Sequence, residues 1–478
     1  MAWPVDMRSE ERATVLGAFF ALLGITAAHS LFETARDALF LAKAPIARLP
    51  WVYVAVAAGA VVVGRFRATR AQGLMPGLLI GALVTLVFWG ATGLRAVWVP
   101  YALYLWPAIY GAWITGTLWS VIGADFTLSQ AKRLFGFIGA GGVLGALAGA
   151  ALSRALTGIF PPQHLLPAGA SLLVISGVGP ARAIDRAVHH PTAVRGAVGA
   201  TTEDEPHTLK GAVTVLARDP YAKRILWLVL LATMAFTATD FLFKSSVAAS
   251  VPTAELGRFL ATVSLTLNAL ALITQLLLVR LALRVLGVHR AMSILPLLML
   301  MVAGGVAVVP ALAAAVIARG VDGTLRHSLH KTTSELLFVP LSQTMRARVQ
   351  PMIDLLGQRG GQVIASLALL PIFAMGGERA LGITIGVLSG AWLFVAITFR
   401  KPYLDIFRKA LREGRIDDTG ELPQLDLSAL EVLFSALNSD KDTEVLGALD
   451  LLAAQDRGRL IPALILYHPQ KPIVLRAL

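Results

Sequence analysis

The chain has 478 residues, 56% of them hydrophobic and only 15% charged, with a mean hydropathy of +0.70. A soluble globular chain carries about 25% charged residues, so this composition excludes a soluble domain of ordinary kind and indicates an all-α, polytopic membrane protein. The formal net charge of +13 does not point to nucleic acid, because Lys and Arg fall in short connections between apolar runs, where the positive-inside rule places them.

Cys is absent, which excludes disulfides and thiolate metal sites, and the nine His show no H-x-x-x-H spacing. No metal and no cofactor are expected. No nucleophile–base constellation stands out, so the chain does not read as an enzyme.

Apolar runs of roughly 20 residues, each enough to cross a hydrocarbon core, recur along the chain. The first spans about Ala13–Leu31, with Glu10 and Glu11 before it, and reads as a retained helix rather than a signal peptide. The charged stretch Glu33-Thr34-Ala35-Arg36-Asp37-Ala38-Leu39-Phe40 closes it. Spans two to six follow at about Trp51–Gly64, Leu74–Gly93, Val99–Ile122, a glycine-rich run holding Gly141, Gly145 and Gly149, and Leu165–Val178. The fourth span is rich in aromatics, including Tyr104 and Trp119. The glycines of the fifth let helices approach closely; Gly139-Ala140-Gly141-Gly142 is no phosphate loop, because no G-K-[ST] follows it.

Residues 181–223 form a polar linker with the acidic patch Glu203-Asp204-Glu205. The second half then repeats the first. Its opening span, about Ile225–Phe243, ends in Ala238-Thr239-Asp240-Phe241-Leu242-Phe243-Lys244, which shares A-x-D-x-L-F with the first stretch. Further spans are expected at about Arg258–Val279, Met292–Ile317, Gly323–Leu341, Leu355–Met375 and Leu381–Phe399. The tenth carries Arg326, His327, His330, Lys331 and Glu335 at spacings of three to five, and reads as cavity-lining. The expected architecture is therefore twelve transmembrane helices in two six-helix bundles, residues 1–180 and 224–400.

Connections after even-numbered spans are basic, which sets both termini in the cytoplasm and fits a bacterial inner membrane. A basic juxtamembrane segment, 401–424, faces anionic lipid headgroups. In 425–478 paired amphipathic segments recur with the period of a HEAT-like solenoid, with fewer units than such a stack needs, so the chain reads as cut from a longer protein with a protein partner for this tail.

Ionisable groups within apolar spans normally face a water-filled path, and a copy in each half marks a transporter built from repeats. Arg36, Asp37, Asp240 and Lys244 are the leading candidates, joined by the i,i+4 pair Lys331 and Glu335. Asp125, Lys132 and Arg133 sit on a turn that resembles the one bearing Arg346, and the two turns are read as a gate or as topogenic charge.

These residues resemble a family. Ala35-Arg36-Asp37-Ala38-Leu39 looks like T-K-D-x-L of the ATP/ADP translocase-type nucleotide transporters; Asp240-Phe241-Leu242-Phe243-Lys244 looks like their E-x-x-W-K. Ser334-Glu335-Leu336-Leu337-Phe338-Val339-Pro340-Leu341 with Ile353-Asp354 looks like K-E-x-x-Y-I-P-L…I-D, and Ala131-Lys132-Arg133-Leu134-Phe135 like A-K-R-F-Y. The resemblance covers about residues 15–400, and with the tail it is closest to a bacterial subgroup fused to HEAT repeats. It implies a major-facilitator-like arrangement of the two bundles and exchange of an anionic, phosphate-bearing solute such as ATP or ADP. Two departures stand out: Ser334 replaces a lysine, and Pro107 lies where that family carries an acidic residue. They motivate the alternative of a transporter-derived membrane scaffold that acts through its tail.

Overall fold

The computed structural model describes residues 11–65, 74–94, 96–126, 128–178, 219–338 and 343–399, with Leu216, Leu341 and scattered positions in 401–475. Most of the linker, the juxtamembrane segment and the HEAT-like tail lie outside the described residues. Within them the chain is helical throughout, with no strand.

Six helices form the first half: α1 (Arg12–Lys43), α2 (Leu49–Arg65), α3 (Leu74–Ala91), α4 (Val99–Asp125), α5 (Leu128–Leu156) and α6 (Leu165–Ser176). The helix α1 does not stop at the charged stretch. It continues for 32 residues, about 48 Å at 1.5 Å per residue, so Glu33, Arg36 and Asp37 stand in the body of a helix rather than in a connection after it. Its main partner is α5. A Cβ on Gly145 would lie 2.1 Å from Thr26 Oγ1 and 2.3 Å from the Leu23 carbonyl oxygen; on Gly149 it would lie 2.4 Å from the Ala27 carbonyl oxygen. Every fourth residue of that face is therefore glycine because two backbones meet there. Gly136 and Gly139, off this face, have nothing within 4 Å.

The second half opens with α7 (Pro220–Ser250), capped by the Asp219 carboxylate, which accepts from the backbone N–H of Tyr221 and Ala222. Then come α8 (Leu256–Ile273), α9 (Val279–Val308), α10 (Leu312–Leu325), α11 (Lys331–Leu336), α12 (Gln343–Ile353) and α13 (Gly361–Thr398). Wider π-helical turns at Thr274–Leu278, Arg326–His330 and Asp354–Gly360 join consecutive helices without a break. Gly287 (φ 74°) and Gly377 (φ 56°) each divide a long helical run into two limbs, with a backbone conformation that glycine adopts without steric cost. The pairing of α7 with α13 repeats that of α1 with α5: Gly361 puts its Cβ position 3.0 Å from the Leu230 carbonyl oxygen.

One boundary differs from the hydropathy reading. The ninth span was expected to reach Ile317, yet α9 ends at Val308 and α10 begins at Leu312. Pro310 lies between them, and the residue before a proline is driven out of the helical region, as Val309 is at φ −126°, ψ 84°. Arg319 and Asp322 therefore belong to the body of α10 rather than to a connection.

Seven helical runs are long and apolar enough to cross a membrane. Their outer faces carry large apolar side chains, among them Val285, Met375 and Phe394, and the chain is an integral membrane protein. Inside, α1 and α3–α6 share one apolar core. A second core unites the other half with Phe40, Val52, Tyr53 and Tyr104, and a smaller cluster joins Ala38 to Phe243 and Val247. The two halves thus meet around the end of α1 and the start of α2, beside the charged stretches.

Candidate functional site

Between the halves lies a cavity of about 650 Å³, lined from α1, α2, α4, α7, α8, α10 and α13. Ligand pockets span about 300–1,000 Å³, so it is large enough for a small solute. The two repeated charged stretches face each other across it. Lys244, only 4% exposed, lies 3.2 Å from Asp37 and 3.0 Å from Asp240, and donates to the Tyr104 hydroxyl at 2.6 Å. The i,i+4 spacing of Asp240 and Lys244 does form a pair, but the same ammonium also binds a carboxylate of the opposite half.

Asp240 collects three donors. Besides Lys244 it accepts from the Tyr53 hydroxyl at 2.5 Å and faces Arg319 Nη1 at 3.3 Å. The Arg36 guanidinium lies 3.2 Å from Glu33 and 3.3 Å from Asp37, with its carbon 4.7 Å from the centre of the Tyr104 ring. His29 sits 3.5 Å from Glu33, accommodated by Gly111, where a Cβ would fall 2.6 Å from the His29 ring. Opposite charges held this closely offset the cost of leaving water, and removal of one partner exposes the full cost of the other.

Of the residues picked from sequence, Arg36, Asp37, Asp240 and Lys244 converge on this cavity. Lys331 and Glu335 do not line it. Both are exposed, and Glu335 pairs with Arg346 at 3.8 Å instead of Lys331. The expectation that they line the cavity fails for a geometric reason: the π-helical turn at Arg326–His330 adds residues to one turn and rotates the helix that follows. Arg346 also donates to Gln350 at 3.2 Å. Arg133 pairs with Glu11 at 2.6 Å, within the first half. The Asp125 and Lys132 side chains lie outside the described residues.

The sequence reading missed Tyr53, Arg319 and Asp322. Tyr53 sits in an unbroken apolar run, where nothing marks it as polar contact. Arg319 and Asp322 were hidden by the misplaced helix boundary. Among the described residues no group of His, Asp or Glu could hold a metal ion.

No family model and no curated protein matches the chain. Solved structures do. The nucleoside transporter NupG aligns at TM-score 0.58 and 13% identity, covering 81% of this chain and 98% of that one. A POT family transporter in complex with 5-aminolevulinic acid aligns at 0.54 and 12%, covering 82% and 99%. A bacterial metal transporter aligns at 0.55 and 15%, covering 83% and 99%. At such identities the likeness is one of fold: the chain has a major-facilitator-like fold.

Proposed function

We propose that the chain is a secondary transporter that moves an anionic, phosphate-bearing solute by alternating access, with a nucleotide as the first candidate. One observation carries this reading: Lys244 of the second half holds Asp37 of the first, inside a cavity wide enough for a solute. An ion pair that spans the two halves is the contact that must break and re-form when the halves rock against each other. The fold supports the reading too, being shared with transporters of nucleosides and of other small molecules.

The cavity is not a simple positive trap. Arg36, Lys244 and Arg319 are each already bound to carboxylates. An incoming phosphate would therefore displace Asp37 or Asp240 from its cation, and the released carboxylate would re-pair as the solute leaves. Arg36 is the first contact for such a group, because a guanidinium offers two parallel hydrogen bonds to a phosphate. Tyr104 on α4 supplies a flat surface beside it.

Twelve membrane passes follow when the limbs at Gly287 and Gly377 are counted separately, with both termini in the cytoplasm of a bacterial inner membrane. Within this reading Lys331, Glu335 and Arg346 belong to a cytoplasmic vestibule rather than to the solute site, and Asp125, Lys132 and Arg133 set topology and close the first half from that side.

The mutual satisfaction of the charges favours a second reading, in which the cluster locks the halves and the protein is a scaffold acting through its HEAT-like tail. Counterflow separates the two. Proteoliposomes holding the full chain would be loaded with ATP, ADP or another organic phosphate and offered the labelled solute. Saturable counterflow that Arg36→Ala abolishes is the expected result. Absence of flux for every phosphate-bearing solute, from protein shown to be folded and inserted, overturns the transport assignment for this class.

A further inference from the structure

Asp322 is the most deeply buried carboxylate of the cluster. It is 0% exposed. Its Oδ2 accepts from Arg319 at 2.9 Å, while its Oδ1, also buried, has no hydrogen-bond partner among the described residues. Asp240, by contrast, has Tyr53, Lys244 and Arg319. The charged groups acting most strongly on Asp322 are Arg326 and Arg319 of its own helical run and Asp240 of α7. The helices α8 and α9, which also pack on α10, contribute none of these.

Arg319 is shared. Its Nη1 lies between Asp322 and Asp240, so the two carboxylates compete for one cation. Further along the same helical run, His330 Nδ1 and Ser334 Oγ are likewise buried without a partner among the described residues. Ionisable groups buried within a membrane helix mark ion or proton sites.

We propose that Asp322 is the proton-carrying residue of this transporter, and that its protonation decides whether Arg319 is held by Asp322 or by Asp240. The inference rests on the transport reading above. A proton on Oδ1 removes the cost of a buried carboxylate oxygen left without a partner and releases Arg319 to Asp240. That tightens the bridge through Asp240 and Tyr53, which joins α10 and α7 to α2 of the other half. Loss of the proton draws Arg319 back and loosens the bridge. The proton enters from the water of one compartment and leaves to the other, so the chain undergoes no net change.

The natural absence of cysteine makes the test direct. Ala112 lies exposed on the cavity wall of α4. In Ala112→Cys, labelling by a membrane-impermeant maleimide reports how open the cavity is, without any solute. Its rate is expected to change about fivefold between acid and alkaline buffer as the populations of the two states shift. In Ala112→Cys with Asp322→Asn the rate stays at the acid value throughout, since Asn stands in for the protonated acid. With Asp322→Glu the response persists with a displaced midpoint, which a merely structural side chain would not produce.

Should the Asn variant fail to insert, the Glu variant and the Ala112→Cys parent decide the matter. A parent with no pH response, or an Asn or Glu variant with the parent's response unchanged, overturns the inference. A flat response beside solute counterflow removes only the role of Asp322. A pH response lost in the Asn variant, without flux of any solute, upholds the proton site and removes the transport reading.

Discussion

Two pairs of charges in this chain have the same sequence spacing and opposite fates. Lys244 on α7 is buried and Asp240 half-buried, in a cluster that spans both halves of the protein. Lys331 and Glu335 on α11 are exposed, and Glu335 pairs weakly with Arg346 on α12. An i,i+4 interval puts two side chains on one face of a helix; it does not say which way that face points. For α7 the face is set by close packing against α13, which turns Asp240 and Lys244 towards the first half. For α11 it is set by the π-helical turn just before it, which turns the pair away from the cavity. Charge placement is therefore a property of the packing, and the two pairs should respond differently to the same kind of substitution.

The largest contrast is expected at Lys244. Lys244→Met leaves Asp37 and Asp240 without their shared buried cation and should cost about 3–5 kcal/mol of stability, read as a fall in thermal midpoint in detergent. Combining it with Asp240→Asn should restore part of the loss, because the second change removes an anion left alone. Additive losses would mean that the two residues do not interact as described.

Next comes the packing that aims these helices. Gly145→Leu would force α1 from α5 and should cost about 3 kcal/mol, whereas Gly139→Ala, with open space at its Cβ position, should change stability by no more than about 0.5 kcal/mol. Equal effects would show that the glycine spacing does not reflect backbone contact.

A smaller loss follows at Tyr53. Tyr53→Phe keeps the ring and removes the hydrogen bond to Asp240, a contact between the halves, at about 2 kcal/mol for a hydrogen bond to a charged acceptor. The smallest belongs to the other pair: Glu335→Gln should cost no more than about 0.5 kcal/mol, since its partner is distant and both groups meet solvent. A large effect there would give the α11 pair a weight that its geometry does not.

The sequence made the helical architecture legible because apolar runs and their basic connections are dictated by the bilayer itself. It also made half of the cluster legible, since Arg36-Asp37 and Asp240–Lys244 recur at matching places in the two halves. Arg319 and Asp322 were not legible. A hydropathy window that runs across Pro310 carries the ninth span to Ile317 and leaves both in a connection, although Pro310 itself is the signal that would have placed them correctly. Tyr53 could not be singled out at all, because its hydroxyl matters only through a carboxylate 187 positions away. Lys331 and Glu335 show the reverse error: the spacing of charges along the tenth span supplied the residues, and a local change of helix pitch moved them.

The most direct measurement is counterflow of a labelled organic phosphate through Asp240→Asn and Glu335→Gln, side by side, in proteoliposomes holding equal amounts of inserted protein. If the cavity between the halves is the solute site, Asp240→Asn loses saturable flux and Glu335→Gln keeps it close to the wild-type rate. Flux retained in Asp240→Asn and lost in Glu335→Gln would place the site at the α11 pair and contradict the account.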